Sequence, residues 1–153
     1  MEIVALLVEG LEAGVVSTAF MTAIQTVFWK KWGLSGVLEW HENQMIWRRL
    51  RGSDRSTLSF FGIFSLHFLN GGLAAAPFPL VVALLPSLTV VPLVATGVLY
   101  GILLWILTLF PIHRPITGVW LTNHPQGFLP VAASFLGHLI YGVSLSLLIV
   151  LMI

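Results

Sequence analysis

Apolar runs of membrane-crossing length alternate with short polar stretches along this chain. A helix needs about 20 mostly apolar residues to cross a bilayer, and in lipid each backbone polar group must be satisfied within the segment. Four runs meet that length: residues 3–28, 57–85, 88–110 and 130–152. The second is interrupted by Pro77 and Pro79, so its last part is either a kinked continuation or a short re-entrant segment. The third carries Pro92 in its first turn, where a missing N–H costs little. The pattern predicts an all-α polytopic membrane protein, with four transmembrane helices in a single membrane domain over 1–153.

The polar stretch 29–56 has a helical period of its own. From Ser35, a suitable N-cap, Leu34, Val37, Leu38, His41 and Met45 fall near one face, with Trp40 and Trp47 on an adjacent one. This predicts an amphipathic helix lying at the cytoplasmic interface, Trp at the headgroup belt and Arg at its end. On that reading Glu39, Glu42 and their neighbours Asn43 and Gln44 form its solvated face.

Charge sharpens the picture. Only 8% of residues are charged, against roughly a quarter in a soluble domain. From Ser56 to Ile153 the one charged side chain is Arg114. All Lys and Arg residues (Lys30, Lys31, Arg48, Arg49, Arg51, Arg55 and Arg114) fall in 29–56 or 111–129. With four spans those two loops share a side, and the excess of cations makes it the cytoplasmic one. Both termini are then expected on the non-cytoplasmic face of the cell membrane, with the seven cations at lipid headgroups. No Lys or Arg precedes Lys30, so the first span is expected to be retained as a membrane helix rather than cleaved as a leader.

Two spans share a motif. Phe64-Ser-Leu-His67-Phe-Leu-Asn70-Gly71 matches Phe135-Leu-Gly-His138-Leu-Ile-Tyr141-Gly142. The preceding spans share a GxxxG, Gly10 to Gly14 and Gly97 to Gly101. A duplicated two-helix unit produces this. Gly10, Gly14 and Thr18 form a small-residue stripe suited to close helix packing, as do Gly71, Gly97, Gly101 and Gly142.

Candidate chemistry is sparse. His67 and His138 sit at matched depths, roughly 12–15 Å from the cytoplasmic side. Two such imidazoles suit haem ligation, a metal, a quinone contact or a proton relay. The plainer reading bonds each to a neighbouring helix, with Asn70 and Tyr141 one turn away. Glu9 and Glu12 lie within the first span with no cation at their depth in this chain. They suit a proton- or cation-binding role, a pairing with another subunit, or a shallow start to the span. His113 and His124 are expected to be solvated in the cytoplasmic loop. No dedicated metal motif and no catalytic residue are assigned. Cysteine is absent, which excludes thiolate catalysis and cysteine metal sites. There is no phosphate-binding glycine loop, no nucleophile elbow and no serial arginine sensor. The basic loop is too short and Trp-rich for nucleic acid.

Gly10-Leu-Glu-Ala-Gly14, Met21-Thr22, the Trp-rich loop and Gly137-His138-Leu-Ile-Tyr141-Gly142 resemble small four-helix membrane proteins of the YagU-like kind. The resemblance implies topology and no mechanism. The leading expectation is a non-catalytic accessory or structural subunit, contacting the bilayer and other membrane subunits or copies of itself. The alternatives are a haem-, metal- or quinone-binding electron- or proton-transfer protein using His67 and His138, and an oligomeric transporter or channel with Glu9 and Glu12 on its path.

Overall fold

The computed structural model describes residues 3–52, 57–85, 87 and 89–152. Its helices are α1 (Ile3–Trp32), α2 (Leu38–Arg51), α3 (Phe60–Ala75), α4 (Phe78–Val82), α5 (Val90–Thr117) and α6 (Leu129–Met152), with 3₁₀ turns at Leu34–Gly36 and Leu121–Asn123. No strand occurs among the described residues. Four helical stretches, α1, α3 with α4, α5 and α6, are long and apolar enough to cross a membrane.

The polar residues within the spans follow the rule for lipid. Thr18, Thr22 and Thr26 each donate to the carbonyl four residues back, at 2.7, 2.6 and 2.8 Å. At the entry to α3, Ser59 accepts from the Gly62 N–H at 3.1 Å, a side-chain N-cap. Between α3 and α4 the backbone of Ala76 and Pro77 stays right-handed helical. The Pro77–Val82 segment is therefore a kinked continuation of α3. α5 does not stop at Phe110, the end expected for the third span; it runs through Pro111 and Pro115 to Thr117. Its last carbonyls find donors elsewhere: Thr117 Oγ1 reaches His113 O at 2.8 Å, and Arg49 Nη2 reaches Ile116 O at 2.8 Å and Pro115 O at 3.2 Å.

Two seams of glycine hold the spans together. Gly10 and Gly14 of α1 lie against the backbone of α3, where Gly71, Gly72, Ala75 and Ala76 approach. Gly97 and Gly101 of α5 lie against His138 and Gly142 of α6. A Cβ at Gly142 would overlap the Gly97 carbonyl, so only glycine permits this approach. Each GxxxG thus meets the helix that follows it in the chain and carries a His-x-x-x-Gly. The seams join around α1 and α6, which also pack on each other.

The fold departs most from expectation at α2. It begins at Leu38 after the extended Val37, with Ser35 left in the preceding 3₁₀ turn. Rather than presenting an outer surface, α2 packs against α3, α5 and α6. Trp40 is buried with Val37 and Ile63, against Trp29 and Phe64. Leu38 is buried with Leu109 and Val131. The face expected to be solvated is buried: Glu42 is 8% exposed, Asn43 4% and Gln44 0%. The physical reason is that the other helices supply polar partners for this face, so burial does not strand it.

Candidate functional site

The inward face of α2 closes a cavity of about 110 Å³ lined by five helices. α2 contributes Glu39, Glu42 and Asn43; α3 contributes His67, Asn70, Gly71 and Ala74. Leu104 and Thr108 come from α5, His138 and Tyr141 from α6, Thr18 and Met21 from α1. A buried water needs about 10–15 Å³ of such space, so several waters or a small ligand head fit.

Glu39 is held by groups from two other helices, α1 and α6. Its Oε2 accepts from Gln25 Nε2 at 2.9 Å, and its Oε1 accepts a short hydrogen bond from Ser134 Oγ. His138 Nδ1 lies 3.5 Å from the same oxygen and 3.0 Å from Ser134 O. Gln25 is oriented in turn by Trp40, whose indole N–H donates to Gln25 Oε1 at 2.8 Å. A buried carboxylate with this many donors needs no basic residue beside it.

Glu42 meets a different partner, His113 Nδ1 at 2.8 Å. His113 is fully buried, not solvated as expected of a loop imidazole. Burial, with Glu39 adding a like charge, pushes the Glu42 carboxyl up to about 9. The acid is therefore protonated at neutral pH, and one proton bridges it to an imidazole nitrogen, on the side set by the tautomer. Beyond it His41 packs edge-on to His113, ring centroids 6.2 Å apart. Burial holds His41 down at about 4, with His113, His124 and Arg48 adding to the effect. His124 is also 6% exposed rather than solvated, and its pKa is lowered by burial. All five histidines of the chain thus lie in or next to one network.

The structure brings His67 and His138 to the same cavity, but not through the neighbours proposed for them. Asn70 Nδ2 donates to Asn43 Oδ1 at 3.2 Å, and the Tyr141 hydroxyl donates to Gly71 O at 2.6 Å. His67 is 6% exposed and its Nε2 has no partner among the described residues. The cavity of about 110 Å³ lined by both imidazoles is far too small for a porphyrin, so it does not fit haem. Among the described residues no three His, Asp or Glu side chains converge as a metal site.

Glu9 and Glu12 are not part of this site. Glu12 is exposed on the outer side of α1, and Glu9 is half-buried. Gly10 and Gly14 do form a packing seam, and Thr18 Oγ1 sits against Gly71. Of the seven cations, Lys30, Lys31, Arg49, Arg51 and Arg114 are exposed and Arg48 is half-buried, while Arg55 lies outside the described residues. Arg114 stacks on Trp120, 3.6 Å from the ring centroid. Lys31 and Arg51 sit over Trp32 and Trp47.

Above the cavity the packing is mostly apolar. The Tyr141–Gly71 bond and a second from the Tyr100 hydroxyl to Ala74 O, also 2.6 Å, form a roof. Beyond it Ala75, Phe78, Val82, Leu93, Leu145 and Ile149 form an apolar cluster, with Ser146 buried beside Gly97. Comparison with protein families, curated proteins and solved structures returned no match.

Proposed function

We propose that this chain is an integral membrane protein that takes up and releases protons in the cavity closed by α2. Its four long helices cross the bilayer, with both termini on the non-cytoplasmic side and the loops 29–56 and 111–129 in the cytoplasm. The distribution of Lys and Arg supports this orientation. The cavity then lies in the cytoplasmic half, and the apolar cluster beyond Tyr100 and Tyr141 lies between it and the other side.

One observation carries the reading. Glu39 and Glu42 are held inside the bundle, and their ion-pair partners among the described residues are imidazoles, His138 and His113. A carboxyl and an imidazole in contact can pass a proton between them, which a carboxylate fixed to Arg does not do. His41 and His124 extend the titratable groups from His113 towards the loops.

Infrared titration of the purified protein in nanodiscs tests this. The wild type is expected to show a buried protonated carboxyl that loses its proton near pH 9, and Glu42→Gln to lack it. An identical carbonyl band and proton count in both proteins would sink the reading.

A second reading, the accessory subunit, draws on Glu12. This carboxyl is exposed among the outward-facing Val8, Leu11, Val15 and Val16 of α1, a costly position in lipid unless another chain covers it. Native mass spectrometry of detergent-released membranes decides: a lone chain from wild type removes the support.

A further inference from the structure

The cavity has one side that the bundle does not seal. α3 packs on α1 and α2, and α5 packs on α6 and α2, while Asn70 and Ala74 face Leu104 and Thr108 across the space. Asn70 is exposed, and Leu69 and Leu73 beside it on α3 point outward, 54% and 55% exposed. Two hydrogen bonds frame this gap. Asn70 to Asn43 lies at its cytoplasmic edge, and Tyr100 to Ala74 at the other. Residues 70 and 74 are one helical turn apart, so the slot is about 6 Å high. If the chain spans the membrane as proposed, this slot opens onto acyl chains rather than water.

The polar groups inside select the head that could enter. The cavity lining includes no Lys or Arg to meet a phosphate or carboxylate. Glu39 is already satisfied by Gln25 and Ser134, which leaves no free carboxylate for an ammonium group. What remains open is hydrogen bonding to a neutral head: His67 Nε2, buried and unpartnered, and the second oxygen of Glu42. Slot height, apolar approach and neutral donors together describe a flat, uncharged, oxygen-bearing head on a lipid-soluble tail.

We propose that the cavity binds the head of a ligand dissolved in the bilayer, a ring bearing carbonyl oxygens, which enters between α3 and α5 and bonds to His67. This rests on the membrane-spanning, proton-handling reading and names the ligand class of the same site.

The test uses the full chain in nanodiscs, with a short-chain ubiquinone as probe and tryptophan quenching as readout. A prenyl alcohol of equal chain length and a sulfonated, water-soluble benzoquinone serve as comparisons. Saturable ubiquinone binding is expected, weakened at least about tenfold by Ala74→Leu, which narrows the slot, and by His67→Phe, which removes the donor. Leu104→Phe narrows the slot from the opposite wall and replaces Ala74→Leu if that variant does not fold. Quenching that never saturates, or that is indifferent to these substitutions, overturns the proposal. So does equal binding of the sulfonated quinone, which would place the mouth in water, or stronger binding of the alcohol, which would assign a hydroxyl head. The Glu42 carbonyl band, read in the same nanodiscs without probe, keeps the two readings apart. A normal band without ubiquinone binding removes only the ligand proposal. Binding with no titrating Glu42 removes only the proton reading.

Discussion

Glu42 and His113, 71 positions apart in the chain, are joined by a 2.8 Å hydrogen bond between α2 and α5. This contact draws the polar loop helix into the bundle and supplies the clearest pH signature of the fold.

Glu42 has an ordinary pKa of 4.5 and about 9 in the folded protein. Between those values the folded state keeps a proton that the unfolded state has released. Its contribution is therefore complete below pH 4.5 and is lost as pH rises towards 9. His41 acts oppositely, because its folded value of about 4 lies below the ordinary 6.5; it loses stability as pH falls from 6.5 to 4. Above 6.5 only the Glu42 slope remains. The apparent melting temperature in detergent should fall from pH 6.5 to 9 in wild type and stay nearly flat in Glu42→Gln. Parallel profiles would contradict the assignment.

His113→Ala should destabilise more than His113→Asn. Alanine leaves the Glu42 carboxyl buried without its partner, a loss of about 1–3 kcal/mol, and opens a void. Asparagine keeps a hydrogen-bonding nitrogen near the Nδ1 position. Thermal unfolding of both variants at pH 6.5 should place His113→Asn closer to wild type.

The glycine seams give a graded series. Gly142→Ala forces a Cβ onto the Gly97 carbonyl, backbone against backbone, and should cost about 1–3 kcal/mol or more. Gly137→Ala meets the flexible end of Met21 at 3.2 Å and should change the midpoint by less than about 1 kcal/mol. The two variants compared in one detergent check the ranking.

Because the chain has no cysteine, single cysteines report topology directly. Lys31→Cys and Arg114→Cys, both at exposed positions, should react with a membrane-impermeant maleimide only after cells are opened. Ser87→Cys should react in intact spheroplasts. The reverse pattern would invert the orientation.

The spans were legible because lipid-length apolar runs are long and redundant; only the end of α5 was set short, because the helix continues past Phe110 to Thr117. The glycine seams were legible in the two GxxxG pairs. What periodicity missed was the orientation of α2, because a polar face is ordinarily taken to face water. Its true partners, Gln25, Asn70, His113, Ser134 and His138, sit on four other helices and share no local spacing with it. A signal was nevertheless present. Those five polar residues sit in otherwise apolar helices and need partners, and Glu39 to Gln44 holds five polar side chains in six positions. Matching the two sets would have predicted the burial. Glu9 and Glu12 drew attention as charges in a span, yet the packing turns Glu12 outward and leaves both outside the cavity.

The two glycine-seamed halves are not equal in one respect. The connection from α1 to α3 folds into α2, while that from α5 to α6 contains only the short turn at Leu121–Asn123. Both halves carry a glycine seam, but the cavity's carboxylates enter through a single connection. A homologue that keeps both seams and loses Glu39 and Glu42 would inherit the scaffold without the site. Kinship of purpose in such chains is best judged on residues 38–51, where hydropathy profiles are least informative.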